Sequence, residues 1–129
     1  MGGYIAKKLV KKLIGMGKAI LGARMLVMGM TFKENVADIR NSKVVDIINE
    51  LKDFGVEVDV VDPYADPEEV KKMYGFRLIE KPLGNYDAVV VAVAHDAYQG
   101  LDEKYFKSLT CDKAVLVDVK GMYLSLIHI

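Results

Sequence analysis

The most constraining feature of this sequence is an unbroken apolar run, Ala-Val-Val-Val-Ala-Val-Ala, at residues 88–94. Valine is branched at Cβ, which favours the extended backbone of a strand over a helix. A strand that is apolar on both faces must be covered on both faces, as the strands of parallel sheets are. The run therefore predicts a central strand of a parallel α/β sheet.

The rest of the chain alternates as such a sheet requires. The apolar run at residues 25–28, the valines at 56, 58, 60 and 61, and the mostly apolar segment 114–119 predict further strands, and residues 76–79 predict a weaker one. Apolar residues recur at helical spacing over residues 44–54 and 101–109. This alternation predicts a Rossmann-like, three-layer, doubly wound α/β fold with a mainly parallel sheet.

The ends of two of these helices carry recognisable signals. Asn41 or Ser42 is expected to cap the helix that begins near residue 44 by accepting a backbone hydrogen bond. Asp66 precedes Pro67 and two glutamates, which is a typical helix start, and Gly75 is expected to end that helix.

The amino-terminal segment has the pattern of an amphipathic helix. Apolar residues recur at helical spacing from Ile5 to Ile14, and four lysines occupy the other face. A basic amphipathic helix can lie on an anionic membrane. A helix whose apolar stripe covers a sheet or a partner is the interpretation we favour.

Composition excludes several classes of protein. Lys plus Arg and Asp plus Glu both total 18, and no basic stripe is interleaved with aromatic residues, so nucleic acid is not an expected partner. The single cysteine, Cys111, rules out an internal disulfide and a multi-cysteine metal site. No apolar run approaches membrane-spanning length and no signal peptide is evident, so we expect a cytoplasmic protein.

Charged side chains crowd the segment after the first predicted strand. Residues 29–42, called the ligand loop below, contain Lys33, Glu34, Asp38 and Arg40. In an open parallel sheet, ligands bind outside the carboxyl ends of the strands. Lysine offers a mobile point charge to an anion, and arginine offers a planar fork. The loop predicts an anion site, with solvated surface charges as the alternative that the pattern leaves open.

Three further polar residues follow predicted strands. His95 and Asp96 adjoin at the end of the run 88–94, and we interpret them as a rim residue and a helix cap rather than as an acid or base. Asp62 follows the second strand, where an acid can bind the ribose of NAD. The ligand loop offers only Gly29 where a dinucleotide site needs G-x-G-x-x-G, so a ligand other than NAD is expected.

The chain resembles one known family at three places. These are Gly29-Met-Thr-Phe-Lys-Glu-Asn-Val-Ala-Asp-Ile-Arg-Asn-Ser42, Asp62-Pro63 and Asp118-Val-Lys-Gly121. They resemble the C-terminal, UDP-sugar-binding domain of the UDP-glucose/UDP-N-acetylhexosamine 6-dehydrogenases. The resemblance implies that residues 1–18 end an interdomain and dimerisation helix and that residues 19–123 form the UDP-sugar-binding domain. Residues 124–129 do not fit the pattern and are expected to be a remnant of cloning.

The resemblance also implies an activity and a site. Enzymes of this family, which act in polysaccharide biosynthesis, use NAD to oxidise the C6 alcohol of a UDP-sugar to a carboxylate. Lys33 and Lys120 match positions that contact the UDP-sugar, and Arg40 matches one that faces NAD held by an N-terminal domain. Phe32, next to Lys33, is a candidate to pack against the ribose or sugar. From pattern alone, Phe32 is equally a core aromatic, and Asp38 orders its loop or pairs with Arg40.

The catalytic residues are expected elsewhere in the enzyme. The resemblance implies that a catalytic cysteine, lysine and asparagine belong to the N-terminal portion, so this chain holds no catalytic residue and Cys111 is not the nucleophile. It also implies a homodimer and an isolated chain without activity. Two alternatives are a stand-alone Rossmann-like module that binds NAD, and an oligomerisation domain in which the ligand loop is solvated.

Overall fold

Strands and helices alternate along the chain, as the sequence predicts. The computed structural model describes residues 2–31, 35, 37–40, 42–93, 95 and 103–118. In these ranges the elements are α1 (Gly2–Gly15), β1 (Arg24–Met28), α2 (Val44–Asp53), β2 (Glu57–Val61), α3 (Pro67–Tyr74), β3 (Tyr86–Val91), α4 (Glu103–Leu109) and β4 (Thr110–Asp118).

The four strands form one parallel sheet in the order β2-β1-β3-β4. Strands β1 and β3 are the inner pair, with Val27 opposite Val60 on one side and Val90 on the other. The chain leaves β1 towards one edge and leaves β3 towards the other, so the switch point lies between them. The doubly wound prediction and the central position of the valine run are both confirmed.

Two apolar layers cover the sheet. On one face, α1, α2 and α3 contribute Leu13, Ile48 and Val70 to the core cluster that contains Val27 and Val90. On the other face, Phe106 of α4 belongs to a second cluster. Its remaining buried members are Leu26, Met28, Val61, Tyr86, Val89, Val91 and Leu116. Successive residues of a strand point to opposite faces, and residues 88–93 of the valine run are buried on both faces.

Helix α1 covers the sheet face on which α2 lies. Its residues Ala6, Leu9, Val10 and Leu13 are buried in the main cluster, while its lysines are exposed. The prediction that this stripe covers the fold is confirmed at Leu9, Val10 and Leu13 and is wrong at Ile14, which is 58% exposed. Among the described residues, no helix is both long enough and apolar enough to cross a bilayer.

One of the two predicted caps is present. Asp66 accepts a hydrogen bond from the backbone N–H of Glu68 at 3.0 Å, and α3 ends at Gly75 with φ of 82°. The cap predicted for α2 is wrong at Ser42, because the N-cap residue is Lys43 and no side chain bonds there. The buried hydroxyl of Ser42 instead donates to the carbonyl oxygen of Met30 at 2.5 Å. Asn41 lies outside the described residues.

The predicted short strand at residues 76–79 is a single bridge. Leu78 pairs in parallel with Val60, and the backbone N–H of Ile79 donates to the carbonyl of Val60 at 3.0 Å. The bridge lies on β2, at the edge of the sheet away from β1. After it, the chain returns to the centre of the sheet and enters β3 at Tyr86, two residues before the predicted run.

Candidate functional site

Three neighbouring strands bring polar residues to the carboxyl edge of the sheet. Met30 and Thr31 follow β1, Asp62 follows β2 and His95 lies beyond β3. Parallel strands end at the same edge, so residues far apart in sequence meet there. This edge is also where open α/β sheets bind ligands.

Asp62 ties two loops together through backbone hydrogen bonds. Its Oδ2 accepts from the N–H groups of Met30 at 2.7 Å and Thr31 at 3.3 Å. Its Oδ1 accepts from the N–H groups of Tyr64 at 2.7 Å and Ala65 at 3.0 Å. Both oxygens are engaged by donors of the protein. The carboxylate therefore orders the chain around it rather than presenting a free acceptor to a ribose.

The Asp62 side chain is fully buried and remains ionised. Burial by itself raises the pKa of this carboxyl, but the hydrogen bonds from His95, Met30 and Tyr64 outweigh that effect. The net result is a pKa below the ordinary value of 3.8. A buried charge of this kind is tolerated because donors surround it.

His95 is fully buried, so the prediction of a rim residue is wrong. Its Nε2 lies 2.9 Å from Oδ2 of Asp62 and 3.1 Å from Oγ1 of Thr31. Its Nδ1 accepts the backbone N–H of Asn35 at 2.9 Å. The imidazole is buried at little cost because both ring nitrogens have partners, and the ring of Tyr64 lies 4.6 Å from it between centroids.

These contacts define the protonation of the imidazole. An Nδ1 atom that accepts a backbone N–H carries no proton, so the proton of the neutral ring is on Nε2 and points to Asp62. The Asp62–His95 contact is therefore a hydrogen bond from a neutral donor to a carboxylate. It fixes the ring so that Nδ1 faces the ligand loop.

The ligand loop is buried at described residues on either side of Asn35. Thr31 is 1% exposed, whereas Asn35 is exposed and adopts the left-handed region with φ of 62°. Further along, the buried Ile39 accepts a hydrogen bond at its carbonyl from the hydroxyl of Tyr74. Among its described residues, the loop is thus buried at Thr31, exposed at Asn35 and buried again at Ile39.

Arg40 lies on the surface of this loop. Its side chain is 75% exposed, and its Nε and Nη2 contact the two oxygens of Asp38 at 3.1 and 3.2 Å. The backbone N–H of Arg40 donates to the same carboxylate at 2.9 Å. The side-chain and backbone bonds from Arg40 lower the pKa of the Asp38 carboxyl. Both roles predicted for Asp38, ordering its loop and pairing with Arg40, are confirmed.

The other predicted ligand contacts stay predictions. Phe32, Lys33 and Lys120 lie outside the described residues, as does Asp96. The place of Lys120 in the sequence agrees with its prediction as a ligand contact. Strand β4 ends at Asp118, which pairs with Val91 at the carboxyl end of β3. Lys120 follows that carboxyl end by two residues.

Cys111 lies at the amino-terminal ends of the strands, opposite the carboxyl edge that carries the site. It follows α4 by two residues, near the start of β4, which confirms its prediction as a side chain at a helix-to-strand junction. Its thiol donates to Oδ1 of Asp87 at 3.4 Å, and Nζ of Lys18 lies 3.3 Å from the sulfur. Within the described ranges, no three side chains with metal-binding groups are placed to hold a metal ion.

The buried set formed by Thr31, Asp62 and His95 was missed by sequence reasoning. Its only signal is positional, because Asp62 and His95 each follow a strong apolar strand. Two polar residues after neighbouring parallel strands are expected to approach one another. Burial of the imidazole could not be predicted, since the sequence pattern does not show which partners satisfy its nitrogens.

Comparison with known proteins shows that the part of the chain that forms this site matches a known family domain. The matching family domain is described as "UDP-glucose/GDP-mannose dehydrogenase family, UDP binding domain", and the match covers residues 26–125. The matched segment includes the ligand loop, Asp62 and His95.

Individual relatives agree with this match. The chain is 38% identical over 93% of its length to UDP-N-acetyl-D-glucosamine 6-dehydrogenase of Salmonella typhi, and 42% identical over 95% to Protein CapL of Staphylococcus aureus. It spans 28% and 29% of those proteins.

A solved structure supports the fold. NDP-N-acetyl-D-galactosaminuronic acid dehydrogenase from Methanosarcina mazei superimposes on 93% of this chain, with a TM-score of 0.81 and 24% identity. The superposition covers 25% of that longer chain. The chain belongs to the UDP-glucose/GDP-mannose dehydrogenase family, as the UDP binding domain of that family.

Proposed function

We propose that this chain binds the uridine diphosphate part of a UDP-sugar at the carboxyl edge of its sheet. The whole enzyme would be an NAD-dependent nucleotide-sugar 6-dehydrogenase that oxidises a UDP-hexose or UDP-N-acetylhexosamine at C6 to the uronate. The single observation that carries the proposal is the family match over residues 26–125, which contains the ligand loop.

The geometry of the loop supports diphosphate binding. Asp62, His95, Ser42 and Tyr74 each bond to loop atoms, so much of the ordering is complete before a ligand arrives. Preorganisation of this kind lowers the entropic cost of binding. Lys33 and Lys120 would contact the phosphates as point charges, and Phe32 would pack against the ribose or sugar.

Binding of UDP away from the reacting carbon contributes to the reaction. Contacts to a remote part of a substrate orient the reacting atoms, because the binding energy is used to hold one geometry. This chain would hold the UDP end of the substrate. The catalytic cysteine, lysine and asparagine would belong to the part of the longer relatives that it does not span.

The described residues do not fit a dinucleotide site. Gly29, with φ of 91°, has Cβ of Val93 only 2.7 Å from the position of an added methyl group. This glycine is therefore explained by its packing on Val93 rather than by the approach of a pyrophosphate. The buried Thr31 stands where the dinucleotide motif needs its second glycine. A stand-alone NAD-binding module is not favoured.

NAD would be held by another domain of the enzyme and would accept the hydrides. Arg40, exposed on the ligand loop, would face that cofactor across the domain boundary. We place the UDP-sugar-binding domain at residues 19–123 and assign residues 1–18 to an interdomain helix of a cytoplasmic homodimer. The exposed Ile14, 58% accessible in α1, is available to such a contact.

Calorimetric titration of the chain with UDP and separately with NAD tests the proposal. We expect saturable heat with UDP and none with NAD. Lys33→Ala and Lys120→Ala should each weaken UDP binding about tenfold, because each removes a charge-assisted contact. Lys11→Ala, on the exposed face of α1, is the matched control and should leave the affinity unchanged. Tighter binding of NAD than of UDP would refute the proposal.

A further inference from the structure

His95 contacts the ligand loop at two points. Its Nε2 lies 3.1 Å from the hydroxyl oxygen of Thr31, and its Nδ1 accepts the N–H of Asn35 at 2.9 Å. These two loop residues stand on either side of residues 32–34. One buried side chain thus contacts the loop both at the buried Thr31 and at the exposed Asn35.

The bond to Asn35 has a defined direction. Asn35 has φ of 62°, in the left-handed region that few residues other than glycine adopt. Asparagine adopts this region more readily than most non-glycine residues, and contacts with the surrounding structure stabilise it there. The hydrogen bond to Nδ1 of His95 is one such contact, because it stabilises the orientation of the Asn35 N–H found here.

Asp62 makes this acceptor available. The Nε2–H group of His95 donates to the carboxylate, so the lone pair of Nδ1 can accept a hydrogen bond from the loop. Asp62 also holds the N–H groups of Met30 and Thr31. The pair therefore connects the ends of β2 and β3 to the loop that follows β1.

We propose that His95 is a positioning residue for nucleotide binding, which it serves by fixing the backbone of the ligand loop at Asn35. The inference rests on the proposed function, since the property that His95 is proposed to affect is the affinity of the chain for UDP. His95 itself is 0% exposed, so it would act on the nucleotide through the loop and not by direct contact. Its contribution passes through the loop.

Two variants separate the two ends of the imidazole. In His95→Asn, the amide oxygen can take the place of Nδ1 and accept the Asn35 N–H, while the bond to Asp62 is lost. In His95→Gln, the amide N–H₂ can take the place of Nε2 and donate to Asp62, while the loop bond is lost. Both variants remove the ring, so each serves as the control of the other.

UDP affinity is measured for both variants well below their melting temperatures. We expect His95→Gln to bind UDP about tenfold more weakly than the wild-type chain, and His95→Asn to recover most of that loss. A merely structural role predicts that affinity is the same in both folded variants. Equal affinities of the two variants, or weaker binding by His95→Asn, would overturn the inference.

Two measurements on the protein without ligand keep this inference separate from the proposed function. Long-range ¹H–¹⁵N spectra of the wild-type chain should show the His95 proton on Nε2, and a proton on Nδ1 would overturn the inference without any variant. Hydrogen exchange at the Asn35 amide should be slow in the wild-type chain and in His95→Asn, and faster in His95→Gln. If the wild-type chain does not bind UDP, the proposed function fails, and these two results decide whether His95 positions the loop.

Discussion

Nδ1 of His95 accepts the backbone N–H of Asn35 across 2.9 Å, although the two residues are 60 positions apart in the chain. This bond ties the segment after β3 to the loop that follows β1. It explains why a histidine is fully buried at an edge of the sheet where ligands are expected.

Replacement of Asp62 by asparagine should destabilise the fold in a pH-dependent way. The pKa of Asp62 is lower in the folded chain than its ordinary value of 3.8. Its charge therefore contributes stability above that value, and the contribution is lost as the pH falls through the lower folded pKa. We expect Asp62→Asn to cost about 1–3 kcal/mol at neutral pH and less below about pH 4.

Urea denaturation at several pH values measures this difference in free energy of unfolding. Glu57→Gln, at the exposed start of β2, is the control and should show no comparable loss. A difference between wild-type and Asp62→Asn that grows as the pH falls would contradict the assignment of a depressed pKa.

Substitution of Gly29 by alanine should be far more damaging than the same change at Gly22. Both glycines have positive φ, of 91° and 83°, so both substitutions strain the backbone by about 1–2 kcal/mol. At Gly29 the new methyl group would also lie 2.7 Å from Cβ and 3.0 Å from the backbone nitrogen of Val93, whereas nothing lies within 4 Å at Gly22. Melting temperatures of the two variants check the prediction, and equal losses would mean that Gly29 and Val93 do not approach as described.

Removal of the Tyr74 hydroxyl should loosen the far side of the ligand loop. This hydroxyl donates to the carbonyl of the buried Ile39, so Tyr74→Phe is expected to cost about 1 kcal/mol and to speed hydrogen exchange in residues 37–40. Tyr64→Phe is the matched control, because the structure gives its hydroxyl no hydrogen bond to a described residue. Exchange rates that rise equally in both variants would argue against the anchor.

Replacement of Cys111 by alanine should leave UDP affinity unchanged. The residue lies near the start of β4, and the proposed site lies at the other end of that strand. At roughly 3.3 Å per residue, the two ends are on the order of 20 Å apart. Calorimetric titration of Cys111→Ala with UDP checks this prediction. A tenfold loss of affinity would contradict a site at the carboxyl ends of the strands.

Most of the fold could be predicted from the sequence because the patterns that indicate strands, helices and caps are local and repeated. The valine run that forms β3, the cap at Asp66 and the helix end at Gly75 each depend on neighbouring residues, and each was predicted. The family was predictable for a similar reason, since the ligand loop concentrates several uncommon positions in one short segment.

The buried polar contacts could not be predicted in the same way. Ser42 has the pattern of a helix cap, yet its hydroxyl bonds to Met30, twelve residues earlier. His95 has the pattern of a surface residue after a strand, yet Asp62 and Asn35 satisfy both of its nitrogens inside the protein. Such partners are brought together by the order of the strands, which sequence periodicity alone does not specify.

The most direct test of the central claim is a crystal structure of this chain with UDP bound. We expect the diphosphate at the carboxyl edge of the sheet, against the ligand loop and within contact of Lys33 and Lys120. Density for the nucleotide at another surface, or at this edge without contact to either lysine, would contradict the account.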